Sequence, residues 1–240
     1  MLFSRCAGVA AVLLMLLSIP SAYACDLQAA TNNTRAAGYV EDVLICLTSM
    51  PDGYTVDSAI EDDNFNRVNA EREKRGLTPL QLRRDLKVPA RWHSMDMAAN
   101  KYFSHEEKSK RTHSDRISLL DRTLIYSVAS ENIALVRGDN IKGAERQMLH
   151  TGLMESDSHR EAILSDEVTH MATGVVRHGD GVWLTQIFVN QMGEFSSPVP
   201  VRVGASESLP LKINFPGWTP GGYEAHQEED STLLLSLIHI

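Results

Sequence analysis

Three short segments of the sequence, called islands below (102–105, 130–133 and 156–160), carry side chains that could act together in catalysis or metal binding. Each places a titratable residue beside small or amide residues, and the residues concerned are His105, Glu131 and His159. Two imidazoles and a carboxylate can converge on one divalent cation, because both groups suit zinc, and three protein ligands leave one position for water or substrate. Without a metal, the same trio could supply a general base and its orienting acid. The chain has nine histidines and no HExxH motif, so spacing alone indicates this site only weakly.

Helices on the N-terminal side must help to position the first island. The segment 64–76 mixes apolar and charged residues and ends at Gly76, which is typical of an amphipathic helix. An acidic connection at 61–63 is expected to precede it. A second helix is predicted over 86–101, with Pro89 in its first turn, because a proline deeper in the helix would cost about 3 kcal/mol.

The middle of the chain contains the other two islands. The stretch 103–130 is rich in charge and lacks periodicity, so we predict a long loop with a helical turn near 117–120. Asn140 is expected to cap a third helix. A short helix should then begin at 157 or 158 and carry His159.

Two strands are predicted in the second half, at 171–177 and 182–189. Both alternate around the turn-forming tetrapeptide 178–181, which favours an antiparallel hairpin. Two later alternating runs, at 198–203 and 209–215, could form an accessory hairpin. The tail that follows has the composition of a loop or disordered segment.

The first 24 residues predict a secretory signal. Arg5 precedes the apolar run 7–19, which breaks at Pro20, and the small-x-small pattern that ends at Ala24 favours cleavage after that residue. The run is too short to cross a bilayer, which takes roughly 20 apolar residues. We therefore expect a secreted or periplasmic protein with no transmembrane segment once the signal is removed.

Charge and cysteine content narrow the partners further. Loss of Arg5 with the signal changes the formal net charge from -8 to -9, which argues against nucleic acid as a partner. Cys6 leaves with the signal, so we expect Cys25 and Cys46 to form a disulfide in an oxidising compartment. The alternative is that Cys25 is the acylated first residue of a lipoprotein, although Ala22 stands where a lipobox usually has leucine.

The segment 64–189 resembles the CAP superfamily, named for cysteine-rich secretory proteins, antigen 5 and pathogenesis-related proteins, in its bacterial form. The resemblance rests on FNRVNAEREKRGLTPL, HSMDMAANKYFSH, SENIA, GLMESDSHREAIL, TGVV and WLTQIFV, all in family order. It implies an α+β fold, a three-layer α-β-α sandwich, here with a small C-terminal β extension. The expected organisation is a signal peptide (1–24), an N-terminal extension (25–60), a CAP domain (61–190) and a partly disordered C-terminal extension (191–240).

The resemblance also implies a central cleft lined by two histidines and one or two acids. By motif, His105 ends the YFSH piece, Glu131 is the acid of the EN piece, and His159 is the imidazole of the SxxHR piece. These three are predicted to bind a divalent metal, with zinc favoured. Ser156 occupies the place of the second acid that animal members carry.

Other polar residues have both a structural and a functional interpretation. Asn132 either satisfies backbone groups or lines the cleft, and Gln186, on the strand face of Leu184 and Phe188, either points into the cleft or pairs with a loop. Three further histidines fit structural or surface positions better than ligand positions: His93, His113 and His170.

Three classes of function follow. Members of the family are variously linked to sterol or lipid binding, cell-wall association and host interaction, so the leading hypothesis is an exported module whose cleft binds a divalent metal and a small-molecule, lipid, envelope or host ligand. The rival is a metal-assisted, peptidase-like hydrolase; the sequence lacks GxSxG, and Ser156 and Ser158 are nucleophile candidates by proximity alone. The third is an interaction protein whose contact surface is the C-terminal hairpin.

Overall fold

The structure is a computed structural model that describes residues 24–203, 209–217, 224–227 and 233–236. The predicted signal, apart from its last residue, and most of the predicted tail lie outside the described residues. The helices are α1 (Leu27–Asn32), α2 (Ala36–Thr48), α3 (Ser58–Glu73), α4 (Lys87–Asn100), α5 (His113–Leu120), α6 (Glu145–Glu155) and α7 (Asp157–Leu164). The strands are β1 (Tyr54–Val56), β2 (Gln81–Leu82), β3 (Leu124–Arg137), β4 (His170–His178), β5 (Gly181–Phe195), β6 (Ile213–Asn214), β7 (Glu224–Gln227) and β8 (Leu233–Ser236).

One sheet forms the middle layer of the fold. Its main strands follow the order β1-β4-β5-β3 and pair antiparallel, so β3 lies at one edge. The predicted hairpin of β4 and β5 is confirmed, with His178 opposite Gly181 at its turn. Short strands β2 and β6 extend the sheet beside β4 and β5, while β7 and β8 pair with each other.

Helices cover both faces of this sheet. On one face, α3, α6 and α7 enclose a core with alternate residues of β4 and β5, among them Met171, Val175, Leu184 and Phe188. On the other face, α4 and α5 pack on the intervening residues Ala172, Ile187 and Val189. Residues of α2 and α4 form a further apolar cluster with Val176 on this face. Because side chains alternate between the two faces of a strand, each helical layer packs against its own set of apolar strand residues. The expected α+β, three-layer sandwich is confirmed.

Helix α4 lies directly on β4, at Gly174. A Cβ atom at this position would stand 2.2 Å from the backbone nitrogen of Arg91, which leaves no room for any side chain. Close by, the Ser94 hydroxyl donates to the Gly174 carbonyl at 2.9 Å and lies 2.9 Å from the Thr185 hydroxyl. These contacts fix α4, and therefore the start of the loop that carries His105, against the sheet.

The N-terminal part of the described chain joins the same core. Cys25 and Cys46 form the expected disulfide, which ties the segment before α1 to α2. The ring of Tyr39 in α2 meets that of Trp92 in α4 at an edge-to-face angle of 82°. Residues 25–60, expected to be an extension, therefore contribute to the interior.

Two expectations about the first half of the chain are wrong. The acidic residues 61–63 lie inside α3, which begins at an Asp57 cap whose carboxylate accepts from the Ile60 amide at 3.0 Å. Glu61 is buried in this helix, and two contacts of 2.7 Å with Arg91 compensate its charge. The stretch 103–130 is a loop only at its start: the helical turn predicted near 117–120 is confirmed as part of α5, and β3 begins at Leu124.

Two expectations further along the chain are also wrong. Asn140 does not cap α6, because it lies in a separate 3-10 turn, and the backbone at Gly143 then takes a φ of +87° that no right-handed helix contains. Of the two late alternating runs, 198–203 forms no strand and 209–215 supplies β6, which pairs with β5 instead. No helix among the described residues is long and apolar enough to cross a membrane.

Candidate functional site

The predicted acid lies on the edge strand β3. Glu131 and its neighbour Asn132 stand opposite Ile187 and Gln186 of β5, respectively. Successive residues of a strand point to opposite faces of the sheet. The Glu131 side chain accordingly meets residues of α4 and α5, whereas that of Asn132 meets residues of α7. At this edge, two neighbouring residues of β3 thus contact both helical layers.

His105 and Glu131 are in direct contact. The imidazole Nδ1 lies 3.0 Å from Glu131 Oε1, and Nε2 has no hydrogen-bond partner among the described residues. The His105 side chain is 52% exposed, whereas that of Glu131 is 1% exposed. An imidazole that donates from Nδ1 to a carboxylate keeps its Nε2 lone pair free, which is how histidines are oriented in metal sites and as general bases.

Arg116 of α5 supports both members of this pair. Its guanidinium is fully buried, donates to Glu131 Oε2 at 2.5 Å, and reaches the His105 carbonyl with both terminal nitrogens at 3.2 Å. Burial would raise the pKa of Glu131, but the hydrogen bond from His105 and the charge of Arg116 outweigh it and lower this pKa to about 2. Glu131 is therefore ionised, and both of its oxygens are engaged.

His93 is a buried neighbour that the sequence pattern had assigned to a structural or surface position. It is fully buried in α4, its Nε2 lies 2.9 Å from the Ser104 carbonyl, and the same nitrogen lies 3.7 Å from Glu131 Oε1. Burial, and then the charge of Arg116, lower the pKa of His93 to about 3, so the imidazole is neutral. Its spacing of four from Pro89 and from Met97, both buried, is the sequence signal that indicates this inward position.

His159 approaches the same strand from the other face. It lies in the first turn of α7, is half-buried, and its backbone carbonyl accepts from the Asn132 amide at 2.9 Å. Its imidazole makes no hydrogen bond with any residue that the structure describes. Burial lowers the pKa of His159, and the nearby charge of His105 lowers it further. The two imidazoles are thus within electrostatic range of each other, one from each layer.

The other predicted cleft residues occupy different surroundings. Asn132 and Gln186 are buried at 1% and 0% exposure and hydrogen-bond to each other at 3.0 Å, so neither side chain faces solvent. Ser156 lies between α6 and α7, and its hydroxyl is 3.5 Å from that of Ser158. Neither serine hydroxyl is hydrogen-bonded to His159 within the described part of the chain.

A second group of titratable residues lies deeper, between α4 and the loop that follows it. His93, Asp96 and Glu107 are all buried and each offers a ligand atom within 4.8 Å of the others, so the group could hold a metal ion. The two carboxylates accept hydrogen bonds from Thr31, Asn100 and Tyr102 at Asp96, and from Tyr39, Trp92 and Ser109 at Glu107. Sequence reasoning missed this group, because its members come together only through the loop at 101–107.

Comparison with known proteins supports the resemblance. The profile of the family described as CAP, the cysteine-rich secretory protein family, matches residues 65–188. The uncharacterized protein YkwD of Bacillus subtilis (strain 168) is 34% identical over 135 residues, which cover 56% of this chain and 48% of that protein. The uncharacterized membrane protein YlbC of the same strain is 30% identical over 136 residues, covering 57% and 36%. The match thus spans less than half the length of either relative.

Among solved structures, the chain is similar to an extracellular protein containing an SCP domain from Bacillus anthracis str. Ames. That match has a TM-score of 0.46 and 26% identity, and it covers 56% of this chain and 41% of the other. An outer surface protein from Borrelia burgdorferi matches with a TM-score of 0.46 and 17% identity, over 53% of this chain and 89% of the other.

Proposed function

The chain belongs to the cysteine-rich secretory protein (CAP) family, and from this premise we propose that it is an exported binding module whose cleft holds a divalent metal between His105 and His159. The observation that carries the proposal is the contact of 3.0 Å between His105 Nδ1 and Glu131 Oε1. It turns the Nε2 lone pair of His105 away from Glu131, so that this nitrogen is free to bind a metal ion. Zinc is the favoured ion, because neutral imidazole suits it.

Glu131 fits the role of an orienting carboxylate better than that of a ligand. Both of its oxygens already accept charge-assisted hydrogen bonds, one from His105 and one from Arg116. A carboxylate that accepts from a ligating histidine fixes the tautomer and raises the basicity of the ring. Two protein ligands would leave at least two positions of a tetrahedral ion for water or for a bound molecule. We therefore assign the metal to the two imidazoles and its support to Glu131.

The cleft is also a better metal site than the deeper group at His93, Asp96 and Glu107. A metal there would compete with the hydrogen bonds that six side chains donate to the two carboxylates, and each buried donor that lost its acceptor would cost about 1–3 kcal/mol. In the cleft, neither imidazole has to give up a hydrogen bond at its free nitrogen. Because the His105 ring is exposed, a bound molecule could also reach the metal ion from solvent.

The site could take a small-molecule, lipid, envelope or host ligand once the protein is outside the cytoplasm. Export to the periplasm or the medium is proposed from the signal at 1–24. The disulfide between Cys25 and Cys46 agrees with an oxidising compartment and with an N-terminus that is not acylated. The residues of the cleft do not select one ligand class, so the metal is the part of the function that is tested first.

Calorimetric titration of the purified protein with zinc tests the proposal. The wild type should bind one ion, and His105→Ala combined with His159→Ala should abolish that binding. His178→Ala is the matched control, because this histidine lies at the β4–β5 turn, stacked on Tyr54 rather than in the cleft. Retained binding in the double variant together with loss in Asp96→Asn would move the metal to the deeper group. An absence of binding in the wild type would overturn the metal proposal.

A metal-assisted, peptidase-like hydrolase is the second candidate. The observation that favours it is the same His105–Glu131 pair: His105 Nε2 would hold an ion that activates water, or, without a metal, the pair has the geometry of a general base and its orienting acid. No hydroxyl in the described residues is hydrogen-bonded to either cleft imidazole, so the attacking group would be water rather than a serine. Cleavage of a peptide library, lost in His105→Ala and kept in His178→Ala, would favour the hydrolase. Silence across broad substrates at full zinc loading would favour the binding module.

A further inference from the structure

A chain of buried amides runs through the sheet to the backbone of His159. Asn132 donates from one amide nitrogen to the His159 carbonyl at 2.9 Å and to Gln186 Oε1 at 3.0 Å. Gln186 in turn donates to Asn64 Oδ1 of α3 at 2.7 Å, and Thr173 donates to the same oxygen at 2.9 Å. Every side chain in this network is at most 2% exposed.

The network sets the orientation of each amide. The His159 carbonyl can only accept, so Asn132 must present its nitrogen to it, and the same nitrogen faces Gln186 Oε1. Gln186 therefore presents its nitrogen to Asn64 Oδ1, which the Thr173 hydroxyl also reaches. In the low dielectric of the interior, reversing any one amide would leave buried groups unsatisfied, which is costly. The direction of the chain from α3 to α7 is thus fixed.

The contact reaches α7 at the turn that carries the second imidazole. At the opposite end of α7, Arg72 of α3 donates to the carbonyls of Ile163 and Ser165 at 2.9 and 2.7 Å. The short helix is therefore held by side chains of other elements at both ends. Of these side chains, Asn132 is the one that hydrogen-bonds to the turn that carries His159.

We propose that Asn132, oriented by Gln186 and Asn64, is the positioning residue for His159. The dipeptide Glu131-Asn132 then fixes both imidazoles of the cleft, one from each face of the sheet. Glu131 holds the ring of His105, and Asn132 holds the backbone of His159. The effect on metal affinity rests on the proposed function, whereas the placement of His159 does not.

A purely structural role for the network would predict a different outcome, and Thr173→Val separates the two. This variant removes one hydrogen bond to Asn64 from the same network, but it leaves the contact between Asn132 and His159 in place. Asn132→Ala should weaken zinc binding by roughly 10–100-fold, the loss typical when the support of a metal ligand is removed. Thr173→Val should lower the thermal midpoint yet leave the zinc dissociation constant within about twofold of wild type, because the hydrogen bonds that join Asn64, Gln186, Asn132 and the His159 carbonyl all remain.

A readout without metal keeps the two proposals distinguishable. In the metal-free protein, the imidazole ¹H–¹⁵N signals of His159 should shift or broaden in Asn132→Ala and stay unchanged in Thr173→Val. If the wild type binds no zinc while this difference is present, the proposed function fails and the positioning role stands. If Asn132→Ala does not fold, Gln186→Met should give the same shift to a smaller extent. Unmoved His159 signals in the folded variants, or equal shifts in the Thr173→Val control, would overturn the inference.

Discussion

Lowering the pH from 7 to 5 should destabilise the folded protein through the buried ring of His93. The folded-state pKa of this histidine is lowered from 6.5 to about 3, because burial and the charge of Arg116 disfavour the imidazolium. Below pH 6.5 the unfolded chain therefore binds a proton that the folded chain does not bind until about pH 3. The stability that His93 contributes is complete above pH 6.5 and is lost progressively as the pH falls.

The size of the effect follows from the width of that window. Each pH unit between the two pKa values costs about 1.4 kcal/mol, so a fall from 6.5 to 5 costs about 2 kcal/mol. The ring is fully buried, so solvent screening does not reduce the effect. Glu131, with its pKa lowered from 4.5 to about 2, would add its own loss only in more acidic solution, below about pH 4.5.

Urea unfolding at pH 7, 6 and 5 measures this loss, with His93→Gln as the test variant. A glutamine amide can still donate to the Ser104 carbonyl, but it does not titrate. Between pH 7 and 5 the variant should lose about 2 kcal/mol less stability than the wild type does. His178→Gln should behave as the wild type. Equal losses in the wild type and in His93→Gln would refute the reasoning, because they would mean that His93 is not held neutral in the fold.

Two further changes test the packing of α4 and the N-terminal cross-link. Gly174→Ala should destabilise the protein by about 1–3 kcal/mol, seen in its thermal midpoint, since the new Cβ would stand 2.2 Å from the backbone of Arg91; an unchanged midpoint would show that α4 can move away. Cys46→Ala should cost about 3 kcal/mol in urea unfolding, because it opens the loop that the disulfide closes. The intact mass of the exported wild type should equal that of a chain beginning at Cys25, less the two hydrogens lost when the disulfide forms. A mass that includes an added diacylglyceryl group would contradict the disulfide.

The local sequence pattern was enough to predict the elements that are stabilised mainly by interactions within themselves. The β4–β5 hairpin follows from alternation on both sides of a tight turn, and α4 follows from an apolar repeat with Pro89 placed in its first turn. The disulfide follows from the two cysteines that lie outside the predicted signal. In the hairpin and the helix, the interactions that decide the structure join residues close in sequence. In the disulfide, each cysteine has one possible partner.

Strand β3 shows where local pattern stops being enough. Its 14 residues mix small, polar and apolar types, so no clean alternation marks them as a strand. The reason is that its two central polar side chains are both buried, each against a partner from a different layer. Glu131 requires Arg116, and Asn132 requires Gln186 and the backbone of His159. Pairing with β5, which follows later in the chain, makes this segment a strand.

By itself, the sequence determined which residue types could form the site: the motifs around His105, Glu131 and His159 identified two imidazoles and an acid on three separate elements. The tertiary structure alone decided how they are divided. It placed the histidines in opposite layers, buried Glu131 beneath one of them with an arginine, and turned Asn132 toward the other. The physical reason is that a strand sends neighbouring side chains to opposite faces, and what each meets there depends on helices distant in sequence.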